Sequence, residues 1–349
     1  PEFWNELVED LQRAAASLGA VTAALDDLDV PADKAQPLLD VGRARRRLQE
    51  QADAAAAFCR EDPEQVRFLD PGRRGVAAAI APVDIGSFVR RHLREGLFAT
   101  VLTSATLAMR DTAEPYLARV GLPGSPFRQY PSPFDYAQQA VLALPRDLPR
   151  PDEPGFVDEV SRLTIAAIEA SRGGTFVLCT SHAAVAELGG RLQAALGDRH
   201  AILRQGRGSR DRLLEQFRDD HGSVLVGTDA FWEGVSVKGD ALRLVVIPRL
   251  PFRVPTEPVS EARHERLVAQ GIDPFRAWSL PEAVIRLRQG FGRLVRTQSD
   301  RGAVLVLDRR VHEMWYGRVF LAALPPARRV VGPSRAVIEQ LRAFYAGSA

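Results

Sequence analysis

The sequence predicts an α/β fold with a parallel sheet covered by helices on both faces. Short apolar runs alternate with longer amphipathic segments between residues 176 and 307, and this alternation is typical of a parallel sheet. The predicted strands are apolar throughout. Strands that are buried on both faces have this composition, whereas half-exposed strands alternate polar and apolar residues.

Composition indicates an ordinary globular chain. Its 349 residues are enough for two or three domains, and 46% hydrophobic residues, 26% charged residues and a net charge of +2 are unexceptional. So small a charge excludes attraction of nucleic acid by the whole molecule, and any binding surface must be local. Two cysteines exclude a disulfide framework, and no metal-ligand spacing is found. Since no apolar run is long enough to cross a membrane, we expect a cytoplasmic protein without membrane contact, and we expect a monomer.

The first third of the chain predicts helices followed by strands. Residues 3–60 carry apolar residues at helical spacing, and a basic stripe at 43–47 is either a solvated face or a nucleic-acid contact. Strands are expected within 66–82, a helix at 85–95 and an apolar strand at 97–103. Ser104, Ala105 and Thr106 follow at the carboxyl end of that strand, where parallel sheets place ligand contacts.

A proline-rich stretch at 115–154 is interpreted as an extended linker into a second domain. Beyond it we expect strands at 176–180, 201–204, 224–228, 242–247 and 303–307, and helices at 183–196, 211–218 and 280–296.

The helix predicted at 280–296 carries the strongest chemical pattern. Ser279 and Glu282 have the spacing of a capping box. Gln289, Arg293 and Arg296 follow one another at intervals of four and three residues, which would place them on one helical face. Guanidinium groups in a row can bind phosphate oxygens and stabilise a transferring phosphoryl group. By spacing alone, a solvated arginine-rich helix explains the pattern equally well.

A resemblance favours the phosphate interpretation. The sequence QGFGRLVR at 289–296 resembles motif VI of superfamily 2 helicases, and residues 280–311 are similar to the DinG branch of the XPD/DinG group. The resemblance implies that Arg293 and Arg296, with Gln289 beside them, stabilise the γ-phosphoryl transition state. It also implies a helical arch remnant at 1–65, the end of a RecA-like helicase domain 1 at 66–130, and a RecA-like helicase domain 2 at 131–349.

Further motifs of that family occur in the expected order. Ser104, Ala105 and Thr106 resemble motif III, which couples nucleotide state to DNA. Thr180 and Ser181 resemble motif IV, which grips the nucleic-acid backbone, although a simple helix cap explains them too.

Residues 227–235 resemble motif V, and their expected roles divide between DNA and ATP. Thr228, Gln205 of a preceding Q-G element and Arg249 are expected to contact the DNA strand. Asp229, Glu233 and Gly234 are expected to couple ATP to movement. Phe231 and Trp232 could both stack on bases, or one of them could belong to the core.

Several features of such a helicase are not found in this sequence. Neither of the two lysines, Lys34 and Lys238, follows a glycine-rich phosphate loop, and no D-E-A-H box or four-cysteine iron–sulfur motif is found. The resemblance implies ATP, Mg²⁺ and single-stranded DNA as ligands of an intact parent and allows it a 4Fe–4S cluster. We expect a portion of an ATP-dependent 5′–3′ DNA helicase that functions in DNA repair and is inactive alone. The alternatives are a non-catalytic single-strand-binding or docking module and another α/β phosphate-binding enzyme such as a glycosyltransferase.

Overall fold

The computed structural model describes residues 2–26, 36–72, 75–94, 97–104, 106–108, 112–228, 231, 241–253 and 257–347. Two compact units are formed, one by Pro1–Ile85 and Pro255–Ala269 and the other by Gly86–Val254 and Gln270–Ala349. Among the described helices, none combines the length and apolar character needed to span a bilayer.

The elements are numbered in chain order. The first half contains α1 (Glu2–Asp26), α2 (Gln36–Cys59), β1 (Gln65–Gly72), β2 (Gly75–Pro82), α3 (Gly86–Val89), α4 (Glu114–Arg119), α5 (Tyr136–Gln139), β3 (Ala140–Pro145), α6 (Phe156–Ser171) and β4 (Thr175–Leu178). The second half contains α7 (His182–Leu196), β5 (Ile202–Arg204), α8 (Arg210–Asp219), β6 (Val224–Gly227), β7 (Leu244–Ile247), α9 (Pro258–Ala269), α10 (Leu280–Phe291), β8 (Gly302–Val306), α11 (Arg310–Glu313), α12 (Gly317–Ala323), β9 (Arg328–Gly332) and α13 (Ser334–Ala346).

The first unit consists of a helix pair and a β-hairpin. The helices α1 and α2 pack on each other. The strands predicted within 66–82 are found as β1 and β2, which pair in antiparallel register. The hairpin is tied to α9 by Arg263, whose Nε donates to the carbonyl of Val83 at 2.8 Å, and by an ion pair of Arg266 with Glu64 at 2.8 Å.

The described part of the second unit contains a parallel sheet of seven strands in the order β5-β6-β4-β7-β8-β3-β9. Every neighbouring pair is parallel. The carboxyl ends of the strands therefore meet at one edge, and the residues that follow β4, β6, β7 and β8 lie along it.

Both faces of this sheet are covered by helices, which confirms the predicted fold class. Side chains alternate between the two faces because successive residues of a strand point in opposite directions. One core joins Leu142, Phe176, Val245 and Val304 of the strands to Phe217 of α8, Leu287 of α10 and Phe320 of α12. The other core joins Val141, Val177, Val246 and Leu305 to Leu163 of α6, Leu192 of α7 and Leu341 of α13.

The linker predicted at 115–154 is wrong in its centre. β3 lies between β8 and β9, and all six of its residues are buried. The prolines that flank this short apolar run led to the prediction of an irregular linker. Six residues are nevertheless a common length for a β-strand. The strand β9 and the flanking helices α6 and α13 were also not predicted.

The strand predicted at 97–103 is not formed. These residues have no strand partner in the described part of the chain, and Phe98 and Val101 are exposed. A β-strand requires a hydrogen-bonded neighbour, so an apolar run without one stays irregular. The preceding helix is found as α3, which continues into a π-helical turn at Arg90–Arg94.

Candidate nucleotide and nucleic-acid site

Helix α10 begins without the predicted cap. Ser279 has helical backbone angles and makes no side-chain capping hydrogen bond, because α10 continues directly from a π-helical turn at Phe275–Ser279. The carbonyl groups of that turn can accept hydrogen bonds from the first amides of α10, so a capping hydroxyl is not needed there. Glu282 instead accepts a hydrogen bond from Arg119 of α4 at 3.2 Å, and the Arg119 guanidinium lies 3.7 Å from the centre of the Trp278 ring.

Helix α10 ends at Phe291, five residues before the predicted end. The amide of Gly292 closes it on the carbonyl of Arg288 at 2.9 Å. Gln289 is therefore in the last turn, whereas Arg293 and Arg296 lie in the following loop, and the predicted single helical face is wrong. Gly290 and Gly292 weaken the helix at this point, since glycine costs about 1 kcal/mol against alanine in a helix interior.

The loop that carries the two arginines is held by Asp300. One carboxylate oxygen of this buried residue accepts the backbone amides of Arg296 at 2.8 Å and Thr297 at 2.9 Å. The other accepts the Thr297 hydroxyl at 2.5 Å. Amides that would have continued a helix bond a carboxylate instead, which gives the loop a fixed shape.

Gln139, the last residue of α5, holds the same loop from the other side. Its side-chain amide donates to the carbonyls of Thr297 at 2.9 Å, Gln298 at 3.1 Å and Asp300 at 2.9 Å. Sequence reasoning missed both anchors. The short interval from Arg296 to Asp300 was a detectable signal, because an aspartate commonly bonds nearby amides. Gln139 stands far away in the sequence and gave no signal.

The residues predicted to bind phosphate, Gln289, Arg293 and Arg296, are themselves partly buried. Burial lowers the pKa of the Arg296 guanidinium, and the nearby charge of Asp300 partly offsets that effect. The side-chain oxygen of Gln289 is buried and accepts no hydrogen bond from any described residue. A half-buried guanidinium interacts more strongly with an anion than an exposed one does, since solvent screens it less.

Arg288 connects α10 to the segment that resembles motif III, and sequence reasoning missed this residue too. Its guanidinium donates to the carbonyl of Ala108, and burial lowers its pKa. Arg288, Thr103 and Ser104 line one cavity of about 840 Å³. The hydroxyls of Ser104 and Thr106 are 3.2 Å apart. The cavity therefore joins part of the predicted coupling segment to α10, the helix that leads into the sequence resembling motif VI.

At the carboxyl edge of the sheet, three of the predicted DNA contacts share another cavity. Thr180, Ser181 and Arg249 line a space of about 210 Å³. The Ser181 hydroxyl accepts the amide of Ala184 at 3.2 Å, so the capping interpretation is confirmed and coexists with the cavity. Arg249 donates to the carbonyl of Pro151 at 3.0 Å and lies 5.0 Å from the Phe156 ring centre.

Cys179 also lines this cavity and is a buried core residue, as predicted from its apolar neighbours. Its side chain is buried, and burial raises the pKa of the thiol to about 12, with the Arg249 charge acting in the opposite direction. The thiol is therefore protonated at neutral pH, and the side chain contributes packing rather than reactivity.

The predicted contacts Gln205 and Thr228 bond each other. The side-chain oxygen of Gln205 accepts the backbone amide of Thr228 at 2.6 Å and its hydroxyl at 3.0 Å. Phe231, three residues further on, is fully buried, which confirms the core alternative for this ring. An added Cβ at Gly227 would overlap the Phe231 ring, so this glycine is required by packing.

The remaining predicted site residues, Ala105, Asp229, Trp232, Glu233 and Gly234, lie outside the described residues. Within the described ranges, no group of three or more histidine, cysteine, aspartate or glutamate side chains could hold a metal ion.

Comparison with known proteins identifies relatives of the chain. A family described as the helicase C-terminal domain matches residues 164–327. The ATP-dependent DNA helicase YoaA of Escherichia coli strain K12 is 39% identical over 264 residues, which are 76% of this chain and 41% of that protein. The Bacillus subtilis protein named 3′–5′ exonuclease DinG is 32% identical over 306 residues, covering 83% of this chain and 32% of that protein. The chain thus spans about two fifths or less of the length of these curated relatives.

A solved structure described as an XPD helicase has a similar fold. It matches with a TM-score of 0.54 and 14% sequence identity over 87% of this chain and 56% of that chain. At this identity the likeness concerns the fold alone, and it confirms the RecA-like α/β architecture of the parallel sheet.

Proposed function

Since the chain belongs to the DinG-like helicases and carries their C-terminal helicase domain, we propose that it is part of an ATP-dependent DNA helicase. The intact enzyme would couple ATP hydrolysis to 5′–3′ translocation along single-stranded DNA. The observation that carries this proposal is the arginine-bearing loop at 292–300, which Asp300 and Gln139 hold in one shape.

In this proposal Arg293 and Arg296 stabilise charge on the γ-phosphoryl group, and Gln289 orients it. The residues fit a phosphate, because guanidinium groups bind phosphate oxygens in a fixed fork geometry. The side-chain NH2 of Gln289 can donate to a phosphate oxygen, and its unpartnered oxygen, in the last turn before this loop, can accept from the attacking water. Bound ATP supplies the phosphoryl group, and these side chains neutralise charge that develops on its oxygens.

Among the described residues, no group of three or more histidine, cysteine, aspartate or glutamate side chains could hold a metal ion, so we assign none of them to Mg²⁺. Lys34 and Lys238, the two lysines of the chain, do not follow a glycine-rich phosphate loop. We therefore propose that this 349-residue chain alone does not hydrolyse ATP. The lysine of the glycine-rich phosphate loop and the carboxylate that binds Mg²⁺ would come from another part of the intact enzyme.

Coupling between ATP and DNA would run through the Arg288 cavity. Ser104 lines that cavity, and Arg288 stands one residue before Gln289, so a shift of the motif VI helix would act on the motif III segment. We assign the same coupling role to Ala105, Thr106, Asp229, Glu233 and Gly234 from the family resemblance.

The DNA backbone would lie along the carboxyl edge of the sheet. Thr180, Ser181 and Arg249 line one cavity there, so that two hydroxyl groups and a guanidinium can share a phosphate. The bond between Gln205 and Thr228 fixes the turn after β6 beside this edge. Trp232 is assigned to the same strand of DNA from the resemblance.

The test is single-strand-stimulated ATP hydrolysis by the full-length protein. Replacing Arg293 or Arg296 with alanine should lower kcat by about a thousandfold, the usual size of an arginine effect on phosphoryl transfer, while binding of a fluorescent ATP analogue persists. Arg301→Ala is the matched control, because Arg301 is an exposed residue that follows the same loop. Undiminished turnover in both arginine variants would refute the assignment, and a full-length protein without ATPase activity would favour the non-catalytic module.

A further inference from the structure

Five aromatic side chains form a ring cluster beside the carboxyl ends of β7 and β8. They are Phe252, Phe275, Trp315, Tyr316 and Phe320. Tyr316 and Phe320 are buried, whereas the side chain of Trp315 is 50% exposed. The cluster thus has a closed interior and one ring at the surface.

Trp315 is held in place by its neighbours. Its ring centre lies 5.8 Å from that of Tyr316 and 6.2 Å from that of Phe275, and both pairs are nearly perpendicular. Edge-to-face contacts of this kind stabilise ring pairs beyond the area they bury. The indole has therefore lost much of its freedom before any ligand binds, which reduces the entropic cost of a contact with it.

Arg276 places a positive charge over one face of this ring. Its guanidinium carbon lies 4.8 Å from the centre of the Trp315 ring. The side chain is exposed, and its ion pair with Asp273 is 3.5 Å long and exposed too. An exposed pair of this kind contributes little stability, so Arg276 can exchange the carboxylate for a phosphate.

The ring cluster is connected to the cavity of Thr180, Ser181 and Arg249. Arg249 donates to the carbonyl of Pro151, and the preceding residue, Arg150, donates to Glu313 at 2.9 Å. Glu313 stands two residues before Trp315. Two consecutive residues therefore bridge the phosphate-binding cavity and the segment that presents the exposed indole.

We propose that Trp315, together with Arg276, is a base-stacking site for single-stranded nucleic acid that continues the backbone track of Thr180, Ser181 and Arg249. A base stacks on the exposed part of the indole while Arg276 contacts a neighbouring phosphate, and such stacking tolerates every base. A protein partner would use Trp315 as an apolar anchor instead, but the guanidinium beside the ring and the adjoining phosphate cavity favour nucleic acid. The inference rests on the proposed function, since it extends the DNA track assigned there.

The experiment compares two labelled oligonucleotides of equal length and charge by fluorescence anisotropy with the 349-residue chain. One is a thymidine 15-mer, and the other has the same sugar–phosphate backbone without bases. Trp315→Ala should weaken binding of the thymidine 15-mer about tenfold, which is a typical loss for one stacked base, and leave the abasic strand unchanged. Trp315→Phe, which keeps a ring, should bind within about twofold of the wild type.

Met314→Ala is the matched control, because Met314 is the exposed neighbour of Trp315 and has no ring. It should bind both oligonucleotides as the wild type does. Equal losses for the two oligonucleotides in Trp315→Ala, or no loss in either, would overturn the stacking site and leave the proposed function standing. A wild-type chain that binds neither oligonucleotide would contradict the DNA track itself.

Discussion

The Asp300 carboxylate holds Thr297 twice, through the backbone amide at 2.9 Å and through the side-chain hydroxyl at 2.5 Å. Together with the bond to the amide of Arg296, these bonds fix the arginine loop that follows the end of α10. The buried carboxylate thus accepts three hydrogen bonds. Its removal would leave two backbone amides and one hydroxyl without this acceptor, which is costly for buried groups.

We predict that Asp300→Asn destabilises the second unit. The amide keeps the shape of the carboxylate but removes its charge, so the two backbone amides are left with a neutral acceptor and the Thr297 hydroxyl has to accept instead of donate. A hydrogen bond to a charged group contributes about 1.5–3 kcal/mol, and the free energy of unfolding in urea should fall by about that amount. Asp198→Asn, at an exposed position after α7, is the control and should unfold as the wild type does.

We predict measurable coupling between Arg119 and Trp278. The guanidinium lies 3.7 Å from the ring centre, and its other partner, Glu282, stands one helical turn further on. A double-mutant cycle of Arg119→Ala and Trp278→Leu should give an interaction energy of about 0.5–1 kcal/mol, the range for cation–π contacts near a surface. The exposed pair of Arg335 and Glu339 on α13 is the comparison. A coupling no larger than in that pair would show that Arg119 does not hold α10.

The stability of the second unit should depend on the ionisation of Glu313. Hydrogen bonds from Arg309 and, to a lesser extent, Arg150 lower the pKa of this carboxyl below its ordinary 4.5, against a smaller opposing effect of burial. A lowered folded-state pKa stabilises the protein above pH 4.5, and this contribution is lost as the pH falls through the folded-state value.

Replacing Glu313 with glutamine should therefore reduce the unfolding free energy at neutral pH by less than about 1 kcal/mol, because the pair is partly exposed. The difference from the wild type should shrink as the pH is lowered beneath 4.5. Urea unfolding at several pH values measures it, and the exposed Glu215 of α8 provides the control substitution. A difference that grows on acidification would contradict the prediction.

Gly227→Ala should destabilise the sheet edge after β6. The added methyl group would overlap the ring of Phe231, which is fully buried. Overpacking of this kind costs about 1–3 kcal/mol, which thermal and urea unfolding would detect. Gly332→Ala at the end of β9 is the control, since nothing lies within 4 Å of the added atom there. Equal stability of the two variants would show that Phe231 can move aside.

The fold of the second unit was largely predictable because the strands β4 to β8 each carry an apolar signal of their own. Six of the predicted elements between 176 and 247 are found within a few residues of their expected bounds. The strand β3 was missed because proline-rich flanks surround a run of only six residues. Its strand character arises from β8 and β9 on either side, which no local pattern reports.

The candidate site was predictable as a set of residues but not as a geometry. Spacing placed Gln289, Arg293 and Arg296 on one helical face, yet the helix ends at Phe291, and the arginines lie in a loop that Asp300 holds. Gln139 and Arg288 were not recognised, because a side chain that bonds a distant carbonyl has no signature in its own neighbourhood. Long-range anchors of this kind require the tertiary structure.

The position of β3 in the sheet also affects how the chain can fold while it is being synthesised. This strand is synthesised before every other strand of its sheet, yet its two neighbours, β8 and β9, are the last to emerge. Until β8 and β9 are synthesised, the apolar strand β3 lacks these partners for its backbone amide and carbonyl groups. Pairing between strands that are distant in sequence is slow, which prolongs this exposure. Truncation of the chain before β9 would therefore remove the edge strand and helix α13, and it would leave the buried strand β3 as the new edge of the sheet.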